Sequence, residues 1–195
     1  GSVALLHLGR PGPGVIAAFL CVVNLVFAWR YLTESRDMAE ARSTVRKAGA
    51  SREAIMHVIT HPTQSAPRLI WMYAIAMGAF TGMNAILALF LNDQFGVDAN
   101  HIWIFYTYIG LISVVTRAGI LGRAVDKYGE VSLSRIGLSM LALGLISMPF
   151  TMHYATLAVA VALVPLGTAF TFPCVTALLS RVIPSQQRGL YMGLQ

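Results

Sequence analysis

"IWIFYTYIGLISVVTRAGILGRAVDKYGE", residues 102–130, decides how this chain is read. Apolar residues run for most of its length, and then Arg123, Asp126, Lys127 and Glu130 arrive close together with glycines at 122 and 129. A helix needs about 20 apolar residues to cross a hydrocarbon core of roughly 30 Å. The stretch therefore reads as one crossing followed by an abrupt return to water. The rest of the chain has the same character. Of its 195 residues 56% are hydrophobic and 11% charged, whereas a soluble domain carries about 25% charged residues. The blocks 13–32, 69–91, 136–150 and 155–179 are likewise almost free of charge. The short block 136–150 reaches spanning length if 131–135 forms its first turn and Arg135 snorkels to the interface. A further helix begins at Leu190. This pattern predicts an all-α, polytopic transmembrane helical bundle.

The net charge of +6 records topology. Arg30, Arg36, Arg42, Arg46, Lys47, Arg52 and Arg68 surround the connection after the first span. Arg117, Arg123, Lys127 and Arg135 cluster between the third and fourth, and Arg181 and Arg188 follow the fifth. If each block spans once, these connections share one side, and of the 14 basic residues only Arg10 falls elsewhere. The positive-inside rule makes that side cytoplasmic, where basic residues also meet anionic lipid. A nucleic-acid partner is excluded, because no clustered basic face with groove-reading or aromatic elements is present.

Other features are less informative. Cys21 and Cys174 lie inside spans without metal or disulfide spacing and read as small packing residues. The beginning "GSVALLHLGRPGPG" holds an apolar run too short for a span and lacks a signal peptide's charged start. It reads as a tag scar before the tail of an earlier helix, in a fragment open at both ends. The polar segment 33–67 contains "SREAIMHVITHP", an amphipathic interfacial helix ended by Pro62. His57 and His61 stand at i, i+4, as in a zinc-binding helix, but Val58 occupies the glutamate position of HExxH. No metal site is assigned.

Gly122-x-x-x-Asp126-Lys127-x-Gly129 resembles the G-x-x-x-D-[RK]-x-G-[RK]-[RK] signature of the major facilitator superfamily. That signature lies in the cytoplasmic loop between helices 2 and 3, with a weaker copy between helices 8 and 9. Glu130 and Val131 replace its last two basic residues, as in the second copy. Arg117 stands before Gly122 where many members carry arginine. The first span opens after "GPG" and closes in "LTES", similar to the end of helix 6 in drug-efflux members. "FPCVTALLSRVIPSQQRGLYMG" resembles the passage from helix 10 into helix 11, with Pro184 and Arg188-Gly189 in place. The resemblance divides the chain into 1–33, the last helix of an N-terminal half; 34–68, a cytoplasmic linker; and 69–195, helices 7 to the start of 11. The nearest branch is that of tetracycline-resistance-like drug:proton antiporters of the bacterial inner membrane.

The resemblance implies a gate built from Gly122, Asp126, Lys127, Gly129, Arg117 and Arg123. Asp126 would accept hydrogen bonds from a helix N-terminus or pair with Arg117 or Arg123. Gly122 and Gly129 would allow close backbone approach. A charged loop that merely caps two helices, with Arg117 snorkelling, explains the same residues. Helical phase adds a candidate cavity. Tyr73, Met77, Thr81 and Asn84 share one face, as do Tyr106, Gly110, Ser113 and Arg117, while Thr168, Thr171 and Thr176 lie along the fifth span. Asn84, Thr81, Tyr73, Tyr106 and Thr168 are the candidate substrate contacts, with interhelical packing as the alternative. Such a lining suits a small amphipathic compound better than a sugar.

The expected function is secondary-active transport by alternating access, as proton-coupled drug efflux without a cofactor, by a protein that is monomeric when full length. The spans hold no Asp or Glu, so a coupling carboxylate must lie outside this stretch, and His101 and His153 fall at extracytoplasmic ends. The alternatives are a metabolite or sugar uptake carrier of the same superfamily, or a non-transporting membrane protein on this scaffold. An enzyme is disfavoured, for want of a serine–histidine pair, metal cluster or paired carboxylates at membrane depth. So is a nucleotide-driven pump, for want of G-x-x-x-x-G-K-[ST].

Overall fold

The structure is a computed structural model that describes residues 12–31, 50–98 and 101–195. "LTES" and the basic residues Arg10, Arg36, Arg42, Arg46 and Lys47 lie outside the described residues. Among those described, every regular element is helical: α1 (Gly12–Tyr31), α2 (Ala50–Thr60), α3 (Ser65–Phe95), α4 (Ile102–Val115), a π-helical segment (Thr116–Ile120), α5 (Leu121–Ser147), a 3₁₀ turn (Met148–Phe150), α6 (Tyr154–Val182) and α7 (Ser185–Leu194). Two compact units divide the chain, Gly1–Ala48 and Gly49–Gln195.

In the first unit, α1 is a 20-residue apolar helix with Arg30 in its last turn. At 1.5 Å per residue it is about 30 Å long, one hydrocarbon thickness.

The second unit begins upstream of the second span. Helix α3 starts at Ser65, ahead of the expected 69, because Pro67 sits in its first turn, where a missing N–H costs nothing. It ends at Gly96, whose φ of 62° closes the helix while its N–H donates to the Asn92 carbonyl. That 5→1 bond from a left-handed glycine is the αL stop, and the Val97 N–H also reaches back to the Leu91 carbonyl at 3.2 Å. Residues 102–150 form one 49-residue apolar stretch, broken at Gly129 by φ 74° and ψ 158°. Only glycine adopts that backbone cheaply. One arm therefore runs from α4 through the π segment to Tyr128, and a second restarts at Glu130. The second arm includes 131–135, as spanning by the short fourth block requires.

Helix α6 is the axis of the unit: it lies along α5 and touches α3, α4 and α7. Its apolar residues Leu157, Val161, Val164 and Phe172 form a core with Met83, Leu87 and Leu91 of α3, Ile109 of α4 and Leu141 of α5. The α5–α6 contact is close because glycines make it. A Cβ on Gly167 would stand 2.6 Å from the Leu141 nitrogen and 2.7 Å from the Gly137 oxygen, and one on Gly137 would stand 2.8 Å from the Gly167 oxygen. A Cβ on Gly144 would stand 3.0 Å from the Ala160 oxygen. Small residues at such contacts let helices associate without a hydrophobic drive between them.

Contacts at the helix ends agree with the alternating order read from the charges. At one end, the Tyr154 hydroxyl donates to the Phe95 carbonyl (2.8 Å), joining the start of α6 to the end of α3. At the other, the Trp71 Nε1–H donates to the Val58 carbonyl (3.0 Å), and Val58, Ile70, Leu179 and Ile183 form a cluster with Tyr191. Helix α2, read from sequence as an interfacial helix within the linker, is thus packed onto α3, α6 and α7 through Val58. Large apolar side chains such as Ile75, Leu89, Leu111, Val114, Leu143 and Ile146 remain exposed, an arrangement that suits lipid and not water.

Candidate functional site: the charged turn and the tyrosine-lined face

The segment 122–130 is not a loop. Gly122 to Tyr128 continues the helix that began at Ile102, and the chain turns only at Gly129. Neither glycine serves a close approach, since a Cβ on Gly122 or Gly129 would meet nothing within 4 Å. Gly129 is required by its positive φ instead. The backbone contacts expected of these two belong to Gly137, Gly144 and Gly167, which the motif does not include.

Asp126, Lys127, Arg123 and Arg117 are all exposed. Among the described residues Asp126 makes no ion pair, with Arg117 or Arg123 or any other residue, and the Lys127 Nζ lies 5.2 Å from the centre of its neighbour Tyr128's ring. The ion pair of this region belongs to Glu130, whose Oε1 lies 2.8 Å from Nη2 of Arg181. Glu130's side chain is 11% exposed and Arg181's 72%. The position that departs from the basic consensus is therefore the one that binds α5 to α6. The physical reason is local. Glu130 opens the second arm, where a helix N-terminus favours negative charge, and Arg181 sits in the last turn of α6, where a C-terminus favours positive charge. A signal for this was present: a carboxylate directly after a helix-breaking glycine is a helix-start pattern.

Arg117 lies inside the π segment, next to the buried Thr116. A π turn inserts about one residue into the helical phase. The face drawn through Tyr106, Gly110, Ser113 and Arg117 is therefore no longer continuous at Arg117.

On the candidate cavity face, the structure brings Asn84 and Tyr106 together: the Tyr106 hydroxyl donates to the Asn84 backbone carbonyl at 3.3 Å, joining α4 to α3. The Asn84 side chain donates to the Phe80 carbonyl at 2.8 Å. Its amide is thus satisfied within its own helix, and its side-chain oxygen keeps its acceptor capacity. Thr81 is exposed. Tyr73 is half-buried, its ring 4.9 Å from that of Phe172 on α6, which Phe80 also meets at 6.4 Å. Phe172 was not singled out by helical phase, because an aromatic in an apolar span carries no periodic signature of its own. Thr168 is buried and its hydroxyl donates to the Pro165 carbonyl at 3.1 Å, so it is withdrawn from the contact that Asn84 and Tyr106 make. His153 caps α6, its N–H reaching Thr156 Oγ1 at 3.3 Å, and Cys174 packs with Leu133 and Phe170.

The profile of the Major Facilitator Superfamily matches residues 1–195, the whole chain. The chain belongs to the major facilitator superfamily. No curated protein and no solved structure matches it significantly. Membership makes this a multi-pass integral membrane protein of a transporter family, and the helical bundle with its membrane-length apolar helices fits that assignment. A superfamily transporter handles a small-molecule substrate within a lipid bilayer, by secondary transport rather than catalysis.

Proposed function

We propose that this major facilitator works by alternating access and expels small amphipathic compounds in exchange for protons, in the manner of the tetracycline-resistance-like branch, from a bacterial inner membrane. In this reading the chain runs from helix 6 through a linker to the start of helix 11, the full-length transporter is monomeric, and the coupling carboxylate is supplied from outside this stretch. The observation that carries the substrate class is the junction of α3 and α4, where the Tyr106 hydroxyl meets the Asn84 carbonyl, with Thr81 and Tyr73 further along α3. It offers two phenols, a hydroxyl and one amide among apolar and aromatic side chains, which suits a largely apolar compound with few polar groups.

The gate is the turn at Gly129. Glu130–Arg181 holds the second arm of α5 to α6, so the exposed carboxylate of Asp126 and the cations Arg117, Arg123 and Lys127 are presented from the first arm on a fixed support. Their partners would come from the opposite half of the transporter in the inward-closed state, where Asp126 would accept from a helix N-terminus. The opposing pull of inward-closed contacts and substrate binding is what alternating access requires. The test is cellular accumulation of a panel of fluorescent amphipathic cations and antibiotics in cells making the full-length protein. Lower accumulation that collapses with the proton gradient supports efflux. Unchanged accumulation across the panel, with uptake of a polar metabolite, would replace it by an import carrier.

A further inference from the structure

We infer that His57 and His61 of α2 form a binding site for a borderline divalent transition cation, of the Zn²⁺, Ni²⁺ or Cu²⁺ type, at the junction of α2 with α7. The spacing i, i+4 puts both imidazoles on one face of the helix, and their rings stack 5.0 Å apart at 22°. Each ring is also oriented by a hydroxyl. His61 Nδ1 lies 2.8 Å from Thr60 Oγ1, and His57 Nδ1 lies 3.4 Å from the hydroxyl of Tyr191 on α7. Both Nε2 atoms have no protein partner among the described residues.

The hydrogen bonds determine the tautomer of His61. Thr60 Oγ1–H already donates to the Met56 carbonyl at 2.8 Å, so it has no proton left for the imidazole. The contact is satisfied when His61 Nδ1–H donates to Thr60 Oγ1, which leaves the lone pair on Nε2, the atom that would ligate a metal. For His57 the same contact serves either tautomer. Tyr191 O–H donates to Nδ1 when Nε2 carries the proton, and Nδ1–H donates to the phenolic oxygen when Nε2 carries the metal. A second hydrogen bond that fixes tautomer and ring orientation is the usual support of a metal-ligating histidine. Metal–nitrogen bonds of about 2.0–2.1 Å bring two ligating nitrogens to roughly 3 Å apart, so the exposed His61 ring would swing out of its stack on His57 to ligate. No third His, Cys, Asp or Glu joins the pair among the described residues, so water completes the coordination. Imidazole nitrogen selects these cations over Mg²⁺ or Ca²⁺.

The site occupies the last turn of α2, beside Val58, which accepts from Trp71 and packs with Ile70, Leu179 and Ile183. A bound cation would close that turn and, through His57, hold Tyr191. Helix α2 would then stay seated on α3, α6 and α7.

The test is isothermal titration of the full-length protein, its purification tag removed, with Ni²⁺ and Zn²⁺ in detergent. His57→Asn/His61→Asn should abolish one binding event, while His7→Asn/His101→Asn/His153→Asn should retain it. Thr60→Val and Tyr191→Phe keep both imidazoles and should weaken binding by about 10–100-fold, the range for loss of a supporting hydrogen bond. Hydrogen exchange supplies a second readout, in which Ni²⁺ should slow exchange across 54–61 in the parent and not in His57→Asn/His61→Asn. Circular dichroism establishes that the variants fold. Equal Ni²⁺ affinity in parent and His57→Asn/His61→Asn, or binding lost in the His7/His101/His153 variant instead, overturns the assignment.

Discussion

The contact between α5 and α6 and the contact between α4 and α3 are built on opposite principles. The first is a backbone contact: Gly137 and Gly167 put main-chain atoms where a Cβ would stand, and Glu130–Arg181 fastens its end. The second relies on side chains, with the Tyr106 hydroxyl reaching one carbonyl of α3 at 3.3 Å and exposed residues around it. A contact made by the main chain cannot be repacked by rotamer changes, whereas one made by a single phenol can open and reclose. The face proposed to meet substrate is the adjustable one, and the support under the charged turn is the rigid one.

Breaking the rigid contact has the largest expected effect. Gly167→Val should destabilise the protein by about 3 kcal/mol, because the added atoms meet main chain that cannot yield. Size-exclusion chromatography and thermal unfolding in detergent will show it as aggregation or a markedly lower midpoint. Gly110→Ala is the control, since nothing lies within 4 Å of its Cβ position. If the two substitutions behave alike, the distinction between the contacts fails. Next, Arg181→Ala should cost about 1–2 kcal/mol, between the values for exposed and buried pairs, since it strands a mostly buried carboxylate. Glu130→Gln should cost less, and Glu130→Arg/Arg181→Glu should recover only part of the loss, because the swap sets both charges against their helix termini.

Asp126→Asn sharpens the comparison from the functional side. With no ion-pair partner for Asp126 among the described residues, thermal stability should stay within about 0.5 kcal/mol while efflux of the dye panel falls sharply. Intact efflux would remove Asp126 from the gate. The smallest effect is expected of Tyr106→Phe, which deletes one hydrogen bond worth about 0.5–1.5 kcal/mol. It should change the apparent KM for transported dye more than expression or melting temperature.

The spans were legible in the sequence because apolar length is set by the bilayer, and their alternation because Lys and Arg record which side they face. The extra helical turns up to Tyr128 were not, since charged residues in a helix beyond the membrane edge look the same as charged residues in a loop. Nor was the π segment, which has no residue pattern. Glu130 was read as a lapse from a consensus when its position after Gly129 already carried a capping logic. Gly137, Gly144 and Gly167 look like any other small residues of a span until the neighbouring backbone is in place. For the candidate site, phase placed Tyr73, Thr81 and Asn84 on one helix and Tyr106 on the next, and only the structure joins Tyr106 to Asn84, while burial withdrew Thr168, which depends on which helix lies opposite.

The π segment at Thr116–Ile120 has a further consequence. A helix with one surplus residue in a turn stores a fixed increment of rotation and rise. Relaxing that turn to ordinary α geometry would wind everything from Leu121 to Tyr128 around the axis by about 100°, one residue's worth. Arg123, Asp126 and Lys127 would then sweep to a new side of the first arm while Gly129 absorbed the mismatch. The charged turn need not move as a lever, because the slack to re-aim it like a key in its barrel is already wound into the helix that carries it.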